Sequence, residues 1–476
     1  MSDMTANNPP LNTDATQTTS SSLTKKFYNA AWRWHFYAGL FVVPFMLVLA
    51  VTGLIMVYFN SIETRFGEKI YVTPQSVMTA PTTQLETVKQ AFPDAVIGQY
   101  MPAPAEDRTS LFTIKLDGVN TIVSVDPYTA EIVGTVEKDT TWFYFASDIH
   151  GSLLIGDLGD RLIEIAAGLT LILIVTGLYL WWPRNGKGLS QVLVPKLSMK
   201  GRNFLKELHV SIGFYISIIL FFFLISGLSW AGIWGGTYVQ PWSSFPAEKW
   251  DNVPLSDETH GVMNDGAVKE VPWGLELTKL PLSGSDVGKI GVPEGYAINL
   301  NSMVVLARAI GFDQQFRINL PTSPSGVYTI SADSQDGDTV TPTGDQTVHI
   351  DQYTGKILGE VGFEDYSLMA KSMAVGIALH QGDMGWWNTI LNALFCLAVI
   401  FLCVSGILMW WLRRPKGAGR LVAPPAPADM PLWKGAVFIM LLLSLAFPLV
   451  GITLLTVMAL DLLVLSRIPF MKKAFQ

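Results

Sequence analysis

Residues 34–59 read WHFYAGLFVVPFMLVLAVTGLIMVYF. From Phe36 to Phe59 the run carries no charge for 24 residues. At about 1.5 Å per residue it extends roughly 36 Å, enough to cross a ~30 Å hydrocarbon core, and it is too long for a cleavable signal peptide. Comparable runs follow at Leu162–Trp182, Ile212–Trp234 and Trp386–Leu412, so membrane helices are expected over 31–59, 160–182, 208–234 and 386–412. The composition agrees: half of the 476 residues are apolar and 15% are charged, with a mean hydropathy of +0.35. That imbalance does not suit a soluble domain with a charged surface. The net charge of −7 and the lack of an extended basic tract make nucleic acid an unsuitable partner.

The opening stretch recurs. Trp34-His35 is followed 17 residues after the histidine by Thr52-Gly53, and Leu208-His209 is followed at the same interval by Ser226-Gly227. His150 is followed 26 residues later by Thr176-Gly177 and then Trp181-Trp182, while His380 is followed 25 later by Ser405-Gly406 and then Trp410-Trp411. Between the spans, residues 125–134 (VDPYTAEIVG) match 350–359 (IDQYTGKILG), each reading as strand, turn and strand. The chain is therefore an internal duplication of helix, polar segment, helix.

Charge sets the expected orientation. The short loop 183–207 carries Arg184, Lys187, Lys196, Lys200, Arg202 and Lys206 against Glu207, and loop 413–432 carries Arg413, Arg414, Lys416 and Arg420 against Asp429. Both belong in the cytoplasm by the positive-inside rule, with the tail that holds Lys25, Lys26 and Arg33. The long segments 60–149 and 235–379 then face outward as two folded domains, periplasmic in a Gram-negative cell. Residues 1–24, rich in Ser, Thr, Asn and Pro, read as a disordered tail. Residues 433–470 read either as two short spans returning Lys472 and Lys473 to the cytoplasm or as one long kinked helix. Cys396 and Cys403 lie seven apart in one apolar run, about 10 Å along a helix, and cannot bridge.

Four of the six histidines occupy equivalent repeat positions. His35 and His209 start spans that leave the cytoplasm, and His150 and His380 precede spans that return, which gives an inner pair and an outer pair. Ionisable groups at membrane depth are costly without a partner. Paired imidazoles on neighbouring helices are what a b-type haem requires, and no C-x-x-C-H attachment sequence is present. Seventeen residues is about 26 Å of helix, which sets Gly53 and Gly227 at the outer level and Gly177 and Gly406 at the inner one, leaving room for a flat macrocycle.

Each feature taken alone has a plainer reading. A single interfacial histidine meets a headgroup or backbone group, Thr-Gly pairs pack helices, and paired tryptophans anchor spans. Arg184, Arg413 and Arg414 serve as topology signals or meet haem propionates. His260 and His349 lack ligand spacing and read as surface or turn residues. Met384, four after His380, offers a thioether but sits in a Gly-rich loop. Glu164 and Asp461 are acids within apolar runs that face a polar interior or serve quinol or proton handling.

The segments Arg33-Trp34-His35-Phe36-Tyr37-Ala38-Gly39, Ile149-His150-Gly151-Ser152-Leu153-Leu154, Gly159-Asp160-Arg161, Leu178-Tyr179-Leu180-Trp181-Trp182-Pro183 and Leu379-His380 resemble the PepSY-associated transmembrane family of iron-regulated bacterial inner-membrane proteins. That family includes a ferrisiderophore reductase with two b-type haems. The Asp-x-Tyr-Thr turns are similar to those of PepSY domains, small αβ modules. The resemblance, over about residues 27–470, implies a four-helix core holding two haem b groups on His35, His209, His150 and His380, beneath two PepSY-like periplasmic domains. It also implies electron delivery to a ferric siderophore or other ferric chelate. The chain departs from the pattern where Gln381-Gly382-Asp383 replaces the Gly-Ser-Leu-Leu that follows His150.

The cytoplasmic loops are too short for a nucleotide-binding domain and no G-x-G-x-x-G follows a strand, so the electron donor is a partner protein, a diffusible reductant or a membrane quinol. The sequence also holds no metal cluster or Ser-His-Asp arrangement for the outer segments. Two other functions compete: a non-enzymatic PepSY regulator or scaffold binding a peptide or protease, and a metal permease, for which the spans lack the series of carboxylates such a path would want.

Overall fold

The computed structural model describes residues 13–62, 64, 69–184, 193–266, 271–415, 421–425 and 434–463. Expectations resting on residues 1–12 or on Lys187, Lys416, Arg420, Asp429, Lys472 and Lys473 lie outside the described residues, as does the side chain of Asp461.

The helices are α1 (Thr13–Ser61), α2 (Pro81–Ala91), α3 (Trp142–Ser152), α4 (Asp157–Trp181), α5 (Gly201–Leu228), α6 (Trp234–Tyr238), α7 (Leu300–Ala309), α8 (Leu368–Gln381), α9 (Trp386–Arg413), α10 (Lys434–Ala446) and α11 (Pro448–Leu463). Residues Lys25–Ser61 of α1, together with α4, α5 and α9, are long and apolar enough to cross a membrane. Pro44 sits within α1 without ending it, which a span tolerates where neighbouring groups satisfy the freed carbonyl.

Two bounds differ from expectation. Helix α1 begins at Thr13, inside the segment read as a disordered tail. Once the span supplies a nucleus, each added residue costs little and gains a hydrogen bond. Helix α5 stops at Leu228 instead of running to Trp234, and the Trp230 and Ala231 amides instead close tight turns onto Gly227 and Leu228. Between α10 and α11 the chain bends sharply at Phe447-Pro448. Ser444 and Gly451 would be roughly 10 Å apart along a straight helix, yet a Cβ at Gly451 would stand 2.9 Å from that of Ser444.

The chain divides into two compact units, one of residues 1–47, 162–224 and 398–476 and the other of residues 48–161 and 225–397. Among the described residues the first is built of helices. The second holds the sheets, built from β1 (Val96–Met101), β2 (Ser110–Leu116), β3 (Val119–Val125), β4 (Ile132–Glu137), β5 (Leu255–Thr259), β6 (Lys279–Pro281), β7 (Arg317–Asn319), β8 (Val327–Ala332), β9 (Gln346–Asp351) and β10 (Ile357–Gly362).

The segments 60–149 and 235–379, expected as two domains, share one eight-stranded sheet in the order β10-β9-β8-β7-β1-β2-β3-β4, with β5 and β6 as a separate hairpin. The join is antiparallel, Gln99 opposite Asn319 and Tyr100 opposite Ile318. Pairing β1 with β7 removes two edges that would otherwise offer unpaired backbone groups. One core runs across the join: Tyr100, Phe112 and Val123 of the first copy and Ile318, Ile330 and Val348 of the second pack under Val88 of α2 and Met303 of α7. Alternation in β2, buried at Ser110, Phe112 and Ile114, marks the covered face.

The matched turns fold alike. Asp126 Oδ1 accepts from the amides of Tyr128 (2.8 Å) and Thr129 (3.4 Å), and Asp351 Oδ1 from those of Tyr353 (2.8 Å) and Thr354 (2.9 Å). Each is an Asx turn linking two strands, closed by a left-handed residue, Ala130 (φ 59°) in one and Gly355 (φ 66°) in the other. A second core of Trp250, Trp273, Val327, Leu358 and Val361 receives Ala370, Met373 and Ile377 of α8. That packing anchors the helix whose last turn carries His380.

Candidate functional site: four histidines and four hydroxyls

Each of the four repeat histidines bonds through Nδ1 to the hydroxyl that begins a Thr-Gly or Ser-Gly pair. In the first unit, His35 of α1 lies 3.0 Å from Thr176 Oγ1 of α4, and His209 of α5 lies 2.8 Å from Ser405 Oγ of α9. In the second unit, His150 of α3 lies 2.9 Å from Thr52 Oγ1 of α1, and His380 of α8 lies 2.7 Å from Ser226 Oγ of α5.

The hydroxyl protons decide the tautomer. Thr176 Oγ1 donates to Ile172 O at 2.7 Å, Thr52 Oγ1 to Val48 O at 2.8 Å, and Ser405 Oγ to Leu402 O at 3.2 Å. A hydroxyl has one proton, so these oxygens accept from the ring. The carbonyls of Leu173, Leu49 and Leu402 engage the rings of His35, His150 and His209 as well, and a carbonyl can only accept. For His35, His150 and His209 the network therefore assigns the proton to Nδ1 and puts the lone pair on Nε2, as in a metal-ligating imidazole held by a second partner.

Two of the rings face each other in the second unit. His150 and His380 have centroids 6.5 Å apart and planes at 90°. Two metal–nitrogen bonds of about 2 Å, plus about 1 Å from each ring centre to its nitrogen, span roughly 6 Å, so one metal atom fits between them. His35 and His209 lie within electrostatic reach of each other. Among the described residues no set of three or more His, Cys, Asp or Glu side chains groups as a metal site. A metal held by either pair would have to bring its remaining ligands with it.

The glycines stand against the imidazoles. A Cβ at Gly177 would meet His35 Cε1 at 3.2 Å, and Cβ atoms at Gly53, Gly227 and Gly406 would stand 3.6, 3.7 and 3.7 Å from Cε1 of His150, His380 and His209. Their immediate effect is to let each ring lie close to the neighbouring helix so that its Nδ1 reaches the hydroxyl.

The cationic residues lie against backbone carbonyls and aromatic rings. Arg184 donates to Tyr179 O at 2.6 Å and covers the ring of Tyr28, while Arg413 donates to Val422 O at 2.5 Å and lies over Trp32 and Phe36. Arg414 lies over Trp410 and Trp411, and Glu164 is buried within α4.

His260 and His349 correct the sequence reading. They are fully buried, with Nε2 atoms 2.9 Å apart. His260 Nδ1 donates to Thr278 O at 2.7 Å, so its Nε2 accepts from His349, whose Nδ1 accepts from Thr329 Oγ1 at 2.9 Å. Burial lowers His260 to about 4 and holds His349 well below the ordinary histidine range, where the charge of His260 adds to the effect. The residues lie 89 apart in sequence, and no local spacing announces the contact.

The departure after His380 leaves the ring contact intact. Gly382 (φ 93°) ends α8 in the left-handed region as Leu153 (φ 53°) ends α3.

The family model for the PepSY-associated TM region matches residues 32–413, a range that begins just before His35 and ends at the last residue of α9. Among curated proteins nothing matches the chain. The duplicated spans, the paired histidines and this match across most of its length place the chain in the PepSY-associated transmembrane family.

Proposed function

We propose that the protein carries electrons across the bacterial inner membrane through two haem b groups and reduces a ferric siderophore or other ferric chelate on the periplasmic side, for iron uptake. The observation that carries this reading is the fourfold His–hydroxyl arrangement. Four imidazoles each meet a helix hydroxyl through Nδ1, which fixes His35, His150 and His209 as the Nδ1–H tautomer, and the His150–His380 pair has the span of a bis-imidazole site. The residues present fit the group: His35 with His209, and His150 with His380, would be the axial ligands. Haem b, when bound, supplies a one-electron carrier whose potential depends on ligands and burial.

The chain's own part is to hold and to insulate. Thr176, Ser405, Thr52 and Ser226 keep the rings oriented, the glycines beside them allow close approach, and the apolar spans exclude water. No side-chain proton transfer is required of the ligands. Electrons would enter on the cytoplasmic side from a partner protein, a diffusible reductant or a quinol. A scaffold that binds only a peptide or protease has no use for four oriented imidazoles at span ends.

The test is reoxidation. Purified protein in detergent, reduced with dithionite and freed of excess, should return to the ferric spectrum on addition of a ferric siderophore and yield ferrous iron trapped by a chromogenic chelator. A reduced protein that ferric chelates leave unchanged would overturn the assignment.

A further inference from the structure

We propose that Asn388 and Asn392 are positioning residues for His380: by clamping the end of α8 they fix where that ring stands against His150. The inference rests on the haem reading above and adds to it a device found in one copy of the repeat.

A helix end leaves carbonyls that need partners, and at membrane depth or beside it water does not readily supply them. At the end of α8, Ala378 O is met by the amides of Gly382 (3.1 Å) and Asp383 (2.9 Å). The next two carbonyls, those of Leu379 and His380, are met by α9. Asn392 Nδ2 gives one hydrogen to Leu379 O at 2.9 Å and the other to His380 O at 3.0 Å. Asn388 Nδ2 donates to Leu379 O at 3.0 Å and to Asn392 Oδ1 at 3.2 Å, and Asn388 Oδ1 accepts from the Met384 amide at 3.2 Å. Each amide therefore spends both protons and its oxygen. Both residues are buried, one turn apart on the same face of α9.

His380 is thus held at both ends, through its ring by Ser226 and through its own carbonyl by Asn392. The first copy is built differently. Asn388 stands 17 residues before Ser405, and the residue 17 before Thr176 is Gly159; Asn392 likewise corresponds to Ile163. A Cβ at Gly159 would collide with the carbonyl of Ser152, so α4 meets the end of α3 backbone to backbone. One ligand of the pair hangs from close packing and the other from two amides. A polar clamp of this kind inside an apolar helix has to displace good packing, and what it fixes is the direction of one histidine.

The test uses full-length protein with its haem bound, compared with Asn392→Leu and Asn388→Leu, by haem count and low-temperature EPR of the ferric state. Perpendicular imidazoles give a highly anisotropic low-spin signal, distinct from the rhombic signal of parallel rings, and a His150→Ala variant identifies it as the one that disappears. In Asn392→Leu that signal should move or broaden, or its haem be lost, while the other haem is unaffected. Asn388→Leu should do the same to less than half the extent, because Asn392 still reaches both carbonyls. If Asn392→Leu does not fold, the selective shift in Asn388→Leu decides the matter. An unchanged signal in Asn392→Leu, an equal or larger effect in Asn388→Leu, or equal disturbance of both haems overturns the clamp. A wild type with two haems and unaltered variants refutes the clamp alone, whereas a wild type without haem removes the haem reading and the clamp with it.

Discussion

Replacing Thr52 by valine keeps the size and branching of the side chain and removes one atom's chemistry. Thr52 Oγ1 accepts the Nδ1 proton of His150 at 2.9 Å while donating to Val48 O at 2.8 Å. Without it, a buried ring N–H loses its principal acceptor, which costs about 1–3 kcal/mol, or roughly 5- to 150-fold in an equilibrium. Loss of an outer-shell partner independently predicts about 10- to 100-fold in metal affinity. The carbonyl of Leu49 still engages the ring, so the low end applies and about tenfold is expected. The assay is haem transfer to apomyoglobin in a His209→Ala background, which retains only the His150–His380 site. Thr52→Val should lose haem about ten times faster than its parent, and Thr52→Ser, with its hydroxyl kept, within about twofold of it. Equal rates for valine and parent, or serine behaving as valine does, would refute the hydroxyl's role.

Other outcomes follow from single contacts. Gly177→Ala presses a methyl to 3.2 Å from His35 Cε1 and should weaken retention of the inner haem by about 1 kcal/mol, whereas Gly406→Ala, at 3.7 Å from His209 Cε1, should be nearly neutral; equal haem contents would count against the glycine argument. Buried neutral His260 and His349 have folded-state values below the unfolded one near 6.5. The unfolded chain therefore takes protons first, and stability present above that pH is lost as pH falls toward 4. Thermal melts of wild type minus His349→Gln should decline by about 1 kcal/mol per pH unit between 6.5 and 5, and a flat difference would exclude this. Burial raises Asp345 to about 7. Its ionisation therefore costs stability as pH rises from about 4 and the cost is complete above 7, so Asp345→Asn should stabilise by about 1–2 kcal/mol at pH 8 and not at pH 4. A gain at pH 4 or a loss at pH 8 would contradict it.

The spans were legible because hydropathy is a local property: Phe36–Phe59 and its three counterparts announce themselves by length and lack of charge. The repeat histidines were legible through a second local property, fixed offsets to Thr-Gly and Ser-Gly. The sequence pointed to those dyads as space for a macrocycle, and the structure adds that their hydroxyls hold the rings, a contact that depends on which helices meet. The joined sheet rests on Tyr100 opposite Ile318, more than 200 residues apart, and no pattern within β1 names its partner. His260 and His349 failed for the same reason, since each sits among ordinary turn and strand residues until the fold brings them together. Asn388 and Asn392 did leave a signal, two amides one turn apart in an apolar run, but its meaning depends on the end of α8 lying against them.

The central claim is that one chain holds two haems on two pairs of histidines. The pyridine haemochrome of the purified full-length protein, set against its protein concentration, measures that directly. The account predicts two haem b per chain, falling to one in either His35→Ala or His380→Ala and to none when the two substitutions are combined. A wild-type value of one or zero, or two haems that survive both substitutions, would contradict it.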